Sequence, residues 1–255
     1  MRTPVRRIRR QIEEASLNAW PALRQILYDG WILRFSEGYT KRANSVNSLY
    51  ESRLGTEKKV RFAEKCYHDR EMPAIFRITP FSTPHDLDPF LAQRGYVQLD
   101  PTRVMVLDLA DSYAPACVVS PEVKGELRQE GLDEWLALFA HLRNEQLASQ
   151  QIHGAILHSI AGEVQPHLLD VQGATAACAL GVLEEDRLGL FDLFVDPAFR
   201  NQGCGTALTS HILHRAKQRR VRWVYLQVTE ANEAAQGLYR RLGFRDLYGY
   251  WYRIR

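Results

Sequence analysis

Cysteine is scarce in this chain of 255 residues, which contains four cysteines and no C-x-x-C pair. So few cysteines in a chain of this length exclude a disulfide scaffold. Long apolar runs are also missing, because no stretch approaches the roughly 18 residues that a transmembrane helix needs. The first twenty residues lack the apolar segment of a secretory signal, so reduced thiols and a cytoplasmic location are expected.

The chain also lacks an excess of charge of one sign. Lys+Arg total 33 and Asp+Glu total 30, which gives a net charge of +3 and favours neither a nucleic acid nor a membrane as partner. Five arginines among the first ten residues are the exception. We interpret this segment as an amphipathic surface helix with Ile8, Ile12 and Leu17 on one side. A nucleic-acid role rests on these arginines alone.

A change of composition divides the chain. Residues 110–123 carry Pro115 and Pro121 without apolar periodicity, which predicts a boundary between domains 1–115 and 116–255. The second half alternates helical patterns over 132–144, 148–160 and 206–220 with strand patterns over 167–172, 176–186, 187–196 and 221–229. Such alternation predicts an α/β fold, a mixed sheet flanked by helices.

The first half is less regular. We predict strands over 29–38, 73–81 and 102–109, a helix over 59–72, and a helix followed by a strand within 87–100. The segments 73–81 and 87–100 repeat the order strand, helix, Gly-aromatic, strand that residues 221–254 show. Gly95-Tyr96 corresponds to Gly243-Phe244 in this repeat.

The most informative segment joins a strand that ends in Val195-Asp196-Pro197 to a helix that starts near Thr206. Gly203 and Gly205 permit a backbone conformation and a close approach that a Cβ would prevent. The amide groups of this loop and the helix N-terminus can then bind an anion, for which a pyrophosphate is the obvious candidate. The loop is neither a Walker motif nor a dinucleotide fingerprint, since Leu208 stands where the latter needs glycine.

Two ordered motifs lead to a family. Residues 200–205, RNQGCG, fit the R/Q-x-x-G-x-G/A signature, and residues 232–244, NEAAQGLYRRLGF, fit N-x-x-A-x-x-L-Y-x-x-x-G-F. With these motifs, residues 122–255 resemble the GNAT N-acetyltransferase superfamily. The resemblance implies acetyl-CoA as cosubstrate, with its pantetheine arm between two diverging strands. The cofactor-binding residues that it implies are Leu193, Phe194, Val195, Arg200, Asn201, Gln202, Gly203, Cys204, Gly205, Thr206, Asn232, Ala235 and Tyr239.

The resemblance also implies catalytic residues. Tyr239 matches the family tyrosine that protonates the leaving thiolate, and a phenol is a suitable general acid for that step. Asp192 lies on the strand before the loop and is a candidate for the base, for a substrate contact or for a structural role. Some relatives carry a Glu one position earlier, where this chain has Phe191. Three histidines precede or begin the predicted sheet and are further candidates for the acceptor side: His153, His158 and His167.

Residues 29–50 resemble a segment of bacterial two-domain GNAT proteins. The first half has no R-x-x-G-x-G loop, so the resemblance implies a degenerate GNAT-like domain that packs against the active one. Its polar residues Thr40, Arg42, Asn44 and Asn47 either shape the acceptor pocket or form a solvated loop. We therefore expect a tandem GNAT-like enzyme that acetylates the amine of a small molecule by direct attack in a ternary complex. A protein N-terminal or lysine acetyltransferase, a non-catalytic CoA-binding protein and a homodimer stay open.

Overall fold

The fold was analysed in a computed structural model that describes residues 3–109 and 123–255. The predicted domain boundary between residues 115 and 116 lies outside these residues. The helices are α1 Thr3–Asn18, α2 Thr56–His68, α3 Leu87–Gln93, α4 Leu132–Arg143, α5 Leu147–His158, α6 Cys204–Gln218 and α7 Glu233–Arg241. The strands are β1 Arg24–Tyr28, β2 Trp31–Phe35, β3 Val46–Ser48, β4 Ile75–Ile78, β5 Val97–Asp108, β6 Gly125–Gln129, β7 Glu163–Val171, β8 Ala174–Glu184, β9 Arg187–Val195, β10 Trp223–Thr229 and β11 Arg245–Ile254.

Within the described ranges, all eleven strands join one mixed sheet in the order β1-β2-β3-β4-β11-β5-β10-β9-β8-β7-β6. Two of its pairs are parallel, β3 with β4 in the first half and β9 with β10 in the second. The last strand of each half has crossed to the other half: β5 lies between β11 and β10, and β11 lies between β4 and β5. This exchange joins the two halves through backbone hydrogen bonds.

The repeat found in the sequence is present in the structure. Gly95 and Gly243 both have positive φ, at 83° and 92°, which glycine adopts without a Cβ penalty. Each donates its amide to the carbonyl three residues earlier, and the following aromatic residue donates to the carbonyl five residues earlier. The second of these carbonyls belongs to Leu91 in the first half and to Tyr239 in the second. The two halves therefore end their last helices in the same way.

Helix α1 is amphipathic, as we expected. Ile12 and Ala15 are buried in the core on one face of the sheet, whereas Arg10 and Glu14 are exposed on the other side of the helix. The buried side also holds a charge: Glu13 is 1% exposed and forms an ion pair with the equally buried Arg77 of β4. Tyr248 of β11 donates a hydrogen bond of 2.5 Å to the same carboxylate. The helix thus ties the first half to the final strand.

Two predictions for the first half were wrong. The strands predicted around Val97 and over 102–109 are one continuous strand, β5, which bends at Asp100, where φ is 48°. The short strands β1 and β3 were missed. Each has at most five residues, which is too short for a clear alternation of apolar and polar residues. Among the described residues, no helix combines the length and apolarity required to cross a bilayer.

Candidate active site

Strands β9 and β10 diverge after a short parallel pairing. Their ladder runs from Arg187 and Trp223 to Leu190 and Leu226, and it stops there. Beyond this point β9 stays paired with β8 as far as Val195, while β10 stays paired with β5. A wedge-shaped gap therefore opens between two parallel strands at their carboxyl ends, as the resemblance implied.

A β-bulge marks the place where the gap begins. Cys178 pairs with Phe194, and Leu180 pairs with Phe191, so that one residue of β8 faces both Asp192 and Leu193. Asp192 has a φ of 49°, a left-handed value that aspartate tolerates better than most residues. Such a bulge turns side chains and amide groups out of the regular ladder. Here the residue at the bulge is Asp192, whose carboxylate contacts His153 of α5.

The loop that follows β9 ends in an uncapped helix N-terminus. Asn201 and Gly203 have φ values of 61° and 83°, and α6 begins at the next residue, Cys204. The first turn of α6 contains no acidic residue and no side chain caps it, so the positive end of the helix dipole is not offset by an acid of that turn. Arg200 is exposed at the rim and donates a hydrogen bond of 3.2 Å to the carbonyl of Val195. This is the electropositive arrangement that binds phosphate groups.

Gly205 brings α6 close to its neighbours. A Cβ at this position would lie 3.1 Å from Leu238 and 3.3 Å from Val195, closer than most real contacts. Cys204 is buried, and burial raises the pKa of its thiol, which is typical of a packing residue and not of a nucleophile. Gln202 is exposed and Thr206 half-buried at the same end of the helix.

Helix α7 lies on the other side of the gap. Asn232 caps it, because its side-chain oxygen accepts a hydrogen bond of 3.1 Å from the amide of Ala235. Gln236 donates to the carbonyls of Thr229 and Glu230 and so fixes the turn between β10 and α7. The second motif thus builds the start of a helix at the end of β10.

Tyr239 lies on the buried face of α7. Its ring packs against Phe244 with centroids 5.7 Å apart, and burial raises the pKa of its phenol to about 12. No described residue is hydrogen-bonded to its hydroxyl. The phenol is therefore fully protonated at neutral pH, and its proton is not committed to another protein group.

His153 joins Asp192 to a second carboxylate. Its Nε2 lies 3.0 Å from Oδ2 of Asp192, and its Nδ1 lies 4.0 Å from Oε2 of Glu145. The imidazole is 1% exposed, whereas Asp192 keeps 21% of its side chain exposed. Tyr39, from the loop after β2, donates a hydrogen bond of 3.0 Å to Oε1 of Glu145. Tyr39 of the first half thus meets Glu145, His153 and Asp192 of the second half beside the bulge.

A cavity of about 400 Å³ lies beside this group. It is lined on one side by the loop after β2 and on the other by the junction of α4 and α5. Exposed residues surround it, so that it is open to solvent. Its lining residues include Glu37, Tyr39, Thr40, Arg143, Glu145 and Ser149.

The remaining candidates separate into two groups. Thr40 lines the cavity, and the guanidinium of Arg42 lies 5.6 Å from the ring centroid of Phe191. Asn44 and Asn47 are buried and hydrogen-bonded to the backbone of their own segment, so the prediction that they line a pocket was wrong.

The other two histidines lie apart from the bulge. His158 is exposed and contacts Asp133 at 2.8 Å. His167 is fully buried in β7, and burial together with His211 lowers its pKa to about 3. Of the three predicted histidines, His153 is the one that contacts Asp192.

Sequence reasoning missed Glu145 and Tyr39. They are 106 residues apart, and neither belongs to a motif. The sequence held one weak signal for Glu145, which lies in a polar segment between two helices. Many solvated turns share this pattern, so the signal did not single it out.

In the first half, α2 has the place in the order of elements that α6 has in the second half, and a carboxylate of the protein itself lies at its N-terminal end. The carboxylate of Asp29 accepts hydrogen bonds from the amides of Arg53 and Leu54, directly before α2. These two bonds, and then Lys59, lower the pKa of Asp29. Lys59 is fully buried and lies 3.6 Å from the same carboxylate. An acidic group of the protein itself thus occupies the amides before α2.

Comparison with known proteins identifies the family. A family model described as "Probable histone acetyltransferase Rv0428c C-terminal" matches residues 7–253. The chain belongs to this family. The uncharacterized N-acetyltransferase YobR of Bacillus subtilis is 29% identical over 251 residues, which are 96% of this chain and 98% of that protein. A [ribosomal protein bS18]-alanine N-acetyltransferase of Escherichia coli is 37% identical over 78 residues, 31% of this chain and 53% of that enzyme.

Solved structures show the same fold. A GCN5-related N-acetyltransferase from Kribbella flavida aligns with a TM-score of 0.70 and 12% identity over 100% of this chain and 96% of that one. A second, from Sphaerobacter thermophilus, has a TM-score of 0.66 and 21% identity over 95% and 84%. The predictions of the GNAT superfamily, of its fold and of an acyltransferase are therefore confirmed. The chain is a GNAT-type N-acetyltransferase.

The residues of this GNAT protein fit the cosubstrate of its superfamily, acetyl-CoA. A diphosphate needs a helix N-terminus whose first turn is free of acidic residues and of a side-chain cap, and α6 has one. An extended arm needs backbone groups that a neighbouring strand does not use, and the gap between β9 and β10 provides them. Both features lie at the same end of the sheet.

Proposed function

We propose that this protein transfers the acetyl group of acetyl-CoA to the amine of a small molecule in a ternary complex. The observation that carries the proposal is the divergence of β9 and β10 next to the open N-terminus of α6. Acetyl-CoA, when bound, supplies an activated acyl carbon and a thiolate leaving group. Everything else in the reaction is binding, orientation and proton transfer by the chain's own residues.

The binding residues are those on the loop and on the two sides of the gap. The backbone of Leu193, Phe194 and Val195 would hold the pantetheine arm, and Asn232 and Ala235 would flank it. The diphosphate would be bound by the amides and side chains of the loop and the first turn of α6: Arg200, Asn201, Gln202, Gly203, Cys204, Gly205 and Thr206.

Two side chains would move protons. Asp192 is partly exposed at the bulge, where its carboxylate can take the proton that the amine loses as its nitrogen bonds to the acyl carbon. The phenol of Tyr239 can give a proton to the sulfur as the carbon–sulfur bond breaks. One proton is thus taken and one is given, and each side chain recovers its state by exchange with solvent.

The first half favours a small acceptor. Trp20 stacks on Phe191 with centroids 5.6 Å apart, and Arg42 lies over the same ring. Tyr39 stacks on His153 at 5.2 Å. These contacts cover the face of β9 beside Asp192, so a long peptide would have to displace them.

We also propose two units, 1–115 and 116–255, of which the first is a degenerate GNAT unit. Asp29 supports this proposal, because it bonds the amides before α2 that correspond to those of the loop before α6. Titration calorimetry with CoA is then expected to give one site per chain. Two sites per chain would contradict the degenerate assignment.

A second candidate is acetylation of a protein N-terminus. It is favoured by the bS18-alanine N-acetyltransferase that shares 78 aligned residues with this chain. Thiol release from acetyl-CoA should be measured with a panel of primary amines and with a peptide that begins with alanine. Amine-dependent release with the small amines alone supports the proposal. Release with the peptide alone supports the second candidate, and CoA binding without any release would make the protein a non-catalytic binder.

A further inference from the structure

The imidazole of His153 is fixed on all sides. It is 1% exposed on α5, and four aromatic rings have their centroids between 5.1 and 6.4 Å from its own. The rings belong to both halves of the chain: Trp20, Tyr39, Trp135 and Phe139. Because the interior is close-packed, the ring cannot turn without moving these neighbours. Its nitrogens therefore keep their directions.

One of those directions leads to Asp192. Nε2 lies 3.0 Å from Oδ2 of the carboxylate, which accepts hydrogen bonds when ionised, so the ring nitrogen is the donor. That bond occupies one carboxylate oxygen and leaves Oδ1 for another partner. A donor held by a buried ring orients a carboxylate more strictly than solvent does.

The opposite nitrogen leads to the first half. Nδ1 faces Oε2 of Glu145 at 4.0 Å, and Glu145 is held by the Tyr39 hydroxyl at 3.0 Å and by Gln150, which donates to its backbone carbonyl. Burial and Glu145 raise the pKa of Tyr39, so that its hydroxyl stays protonated and continues to donate. Nδ1 of His153 and Oε2 of Glu145 are buried and not hydrogen-bonded to each other. The series Tyr39–Glu145–His153–Asp192 is therefore joined by a hydrogen bond at each end and by a 4.0 Å contact in its middle, and Tyr39 also reaches the imidazole directly by stacking on it.

We propose that Tyr39, Glu145 and His153 are positioning residues that hold Asp192 in place as the base, so that the first half takes part in catalysis. This inference rests on the proposed acetyl transfer. The proton lost by the amine goes to Oδ1 of Asp192, and His153 keeps its own proton on Nε2. No proton travels along the series, and the carboxylate is regenerated through its exposed side.

Other charged and titratable groups surround His153 and Asp192. Arg42 and Arg143 are each one aromatic ring away, over Trp20 and Phe139. On β8, burial and Asp192 raise the pKa of the Cys178 thiol to about 12, so that it is neutral in the assay range. A shift in the acid limb of the pH–activity profile after substitution of His153 would therefore report on the hydrogen bond between His153 and Asp192.

The test compares kcat/KM against pH for thiol release from acetyl-CoA with the active members of the amine panel. In His153→Leu the charge-assisted bond is lost, so kcat is expected to fall about tenfold or more, and the acid limb to move up by about one pH unit. His153→Gln, whose amide can still donate to the carboxylate, should recover part of both. Tyr39→Phe, which removes one hydroxyl, should lower kcat several-fold without changing the KM for acetyl-CoA.

His158→Gln is the matched control, because His158 is an exposed histidine of the same helix. It should behave as wild type. CoA affinity and the melting temperature of every variant show whether the fold is intact, and Tyr39→Phe preserves the packing of its ring. An active wild type with an unmoved acid limb in both His153→Leu and His153→Gln overturns the positioning role alone. A wild type without amine-dependent release overturns the proposed function as well.

Discussion

The sharpest consequence of the site concerns the hydroxyl of Tyr239. Phenylalanine at this position keeps the ring contact with Phe244, and the hydroxyl has no hydrogen-bond partner among the described residues. The free energy of unfolding at pH 7 should therefore change by less than about 1 kcal/mol. Loss of a general acid should lower kcat by about 100-fold, which corresponds to about 2.7 kcal/mol of transition-state free energy.

The assay is steady-state thiol release, with CoA affinity measured separately by calorimetry. Tyr239→Phe should bind CoA within about threefold of wild type, because the hydroxyl acts on the leaving sulfur and not on the diphosphate. Tyr225→Phe is the matched control, since Tyr225 is a buried tyrosine of β10 in the core cluster on the opposite face of the sheet. A kcat for Tyr239→Phe within about threefold of wild type would refute the assignment of the acid.

The raised pKa of Tyr239 gives this prediction a second readout. The phenol ionises at about 12 in the folded chain instead of 10.0. A group with a raised folded pKa contributes stability that is complete below the unfolded value and is lost as the pH rises through the folded value. Two pKa units correspond to about 2–3 kcal/mol, so wild type should lose that much stability relative to Tyr239→Phe between pH 10 and about pH 12. Denaturant unfolding of both proteins at pH 9 and above measures the difference.

Two further predictions concern the loop and the link between the halves. Gly203→Ala forces a Cβ into a left-handed conformation that costs about 1 kcal/mol, and it should weaken CoA binding about tenfold in calorimetry. Gly173→Ala, at a φ of 80° in the turn between β7 and β8, carries the same strain and should leave binding unchanged. Glu13→Gln leaves a buried guanidinium without its carboxylate and should cost about 3–5 kcal/mol in urea unfolding, whereas the exposed Glu14→Gln should cost less than about 0.5 kcal/mol. Equal losses in the two glutamine variants would show that the ion pair does not hold α1 in place.

The sequence alone determined the parts of this protein that depend on neighbouring residues. The glycine loop before α6 and the Gly-aromatic endings of α3 and α7 were predicted, and each follows from backbone preferences within a few residues. The alternation of strands and helices in the second half was legible for the same reason.

Only the tertiary structure decided which distant elements meet. Nothing local to β5 or β11 specifies that each is inserted into the other half, since a strand's pairing partner depends on every strand that competes for its edge. His153 reaches Asp192 across 39 residues, and Tyr39 reaches Glu145 across 106. Such contacts depend on packing of the whole chain, so a motif showed where the cosubstrate binds, while the partners of the candidate base emerged only from the fold.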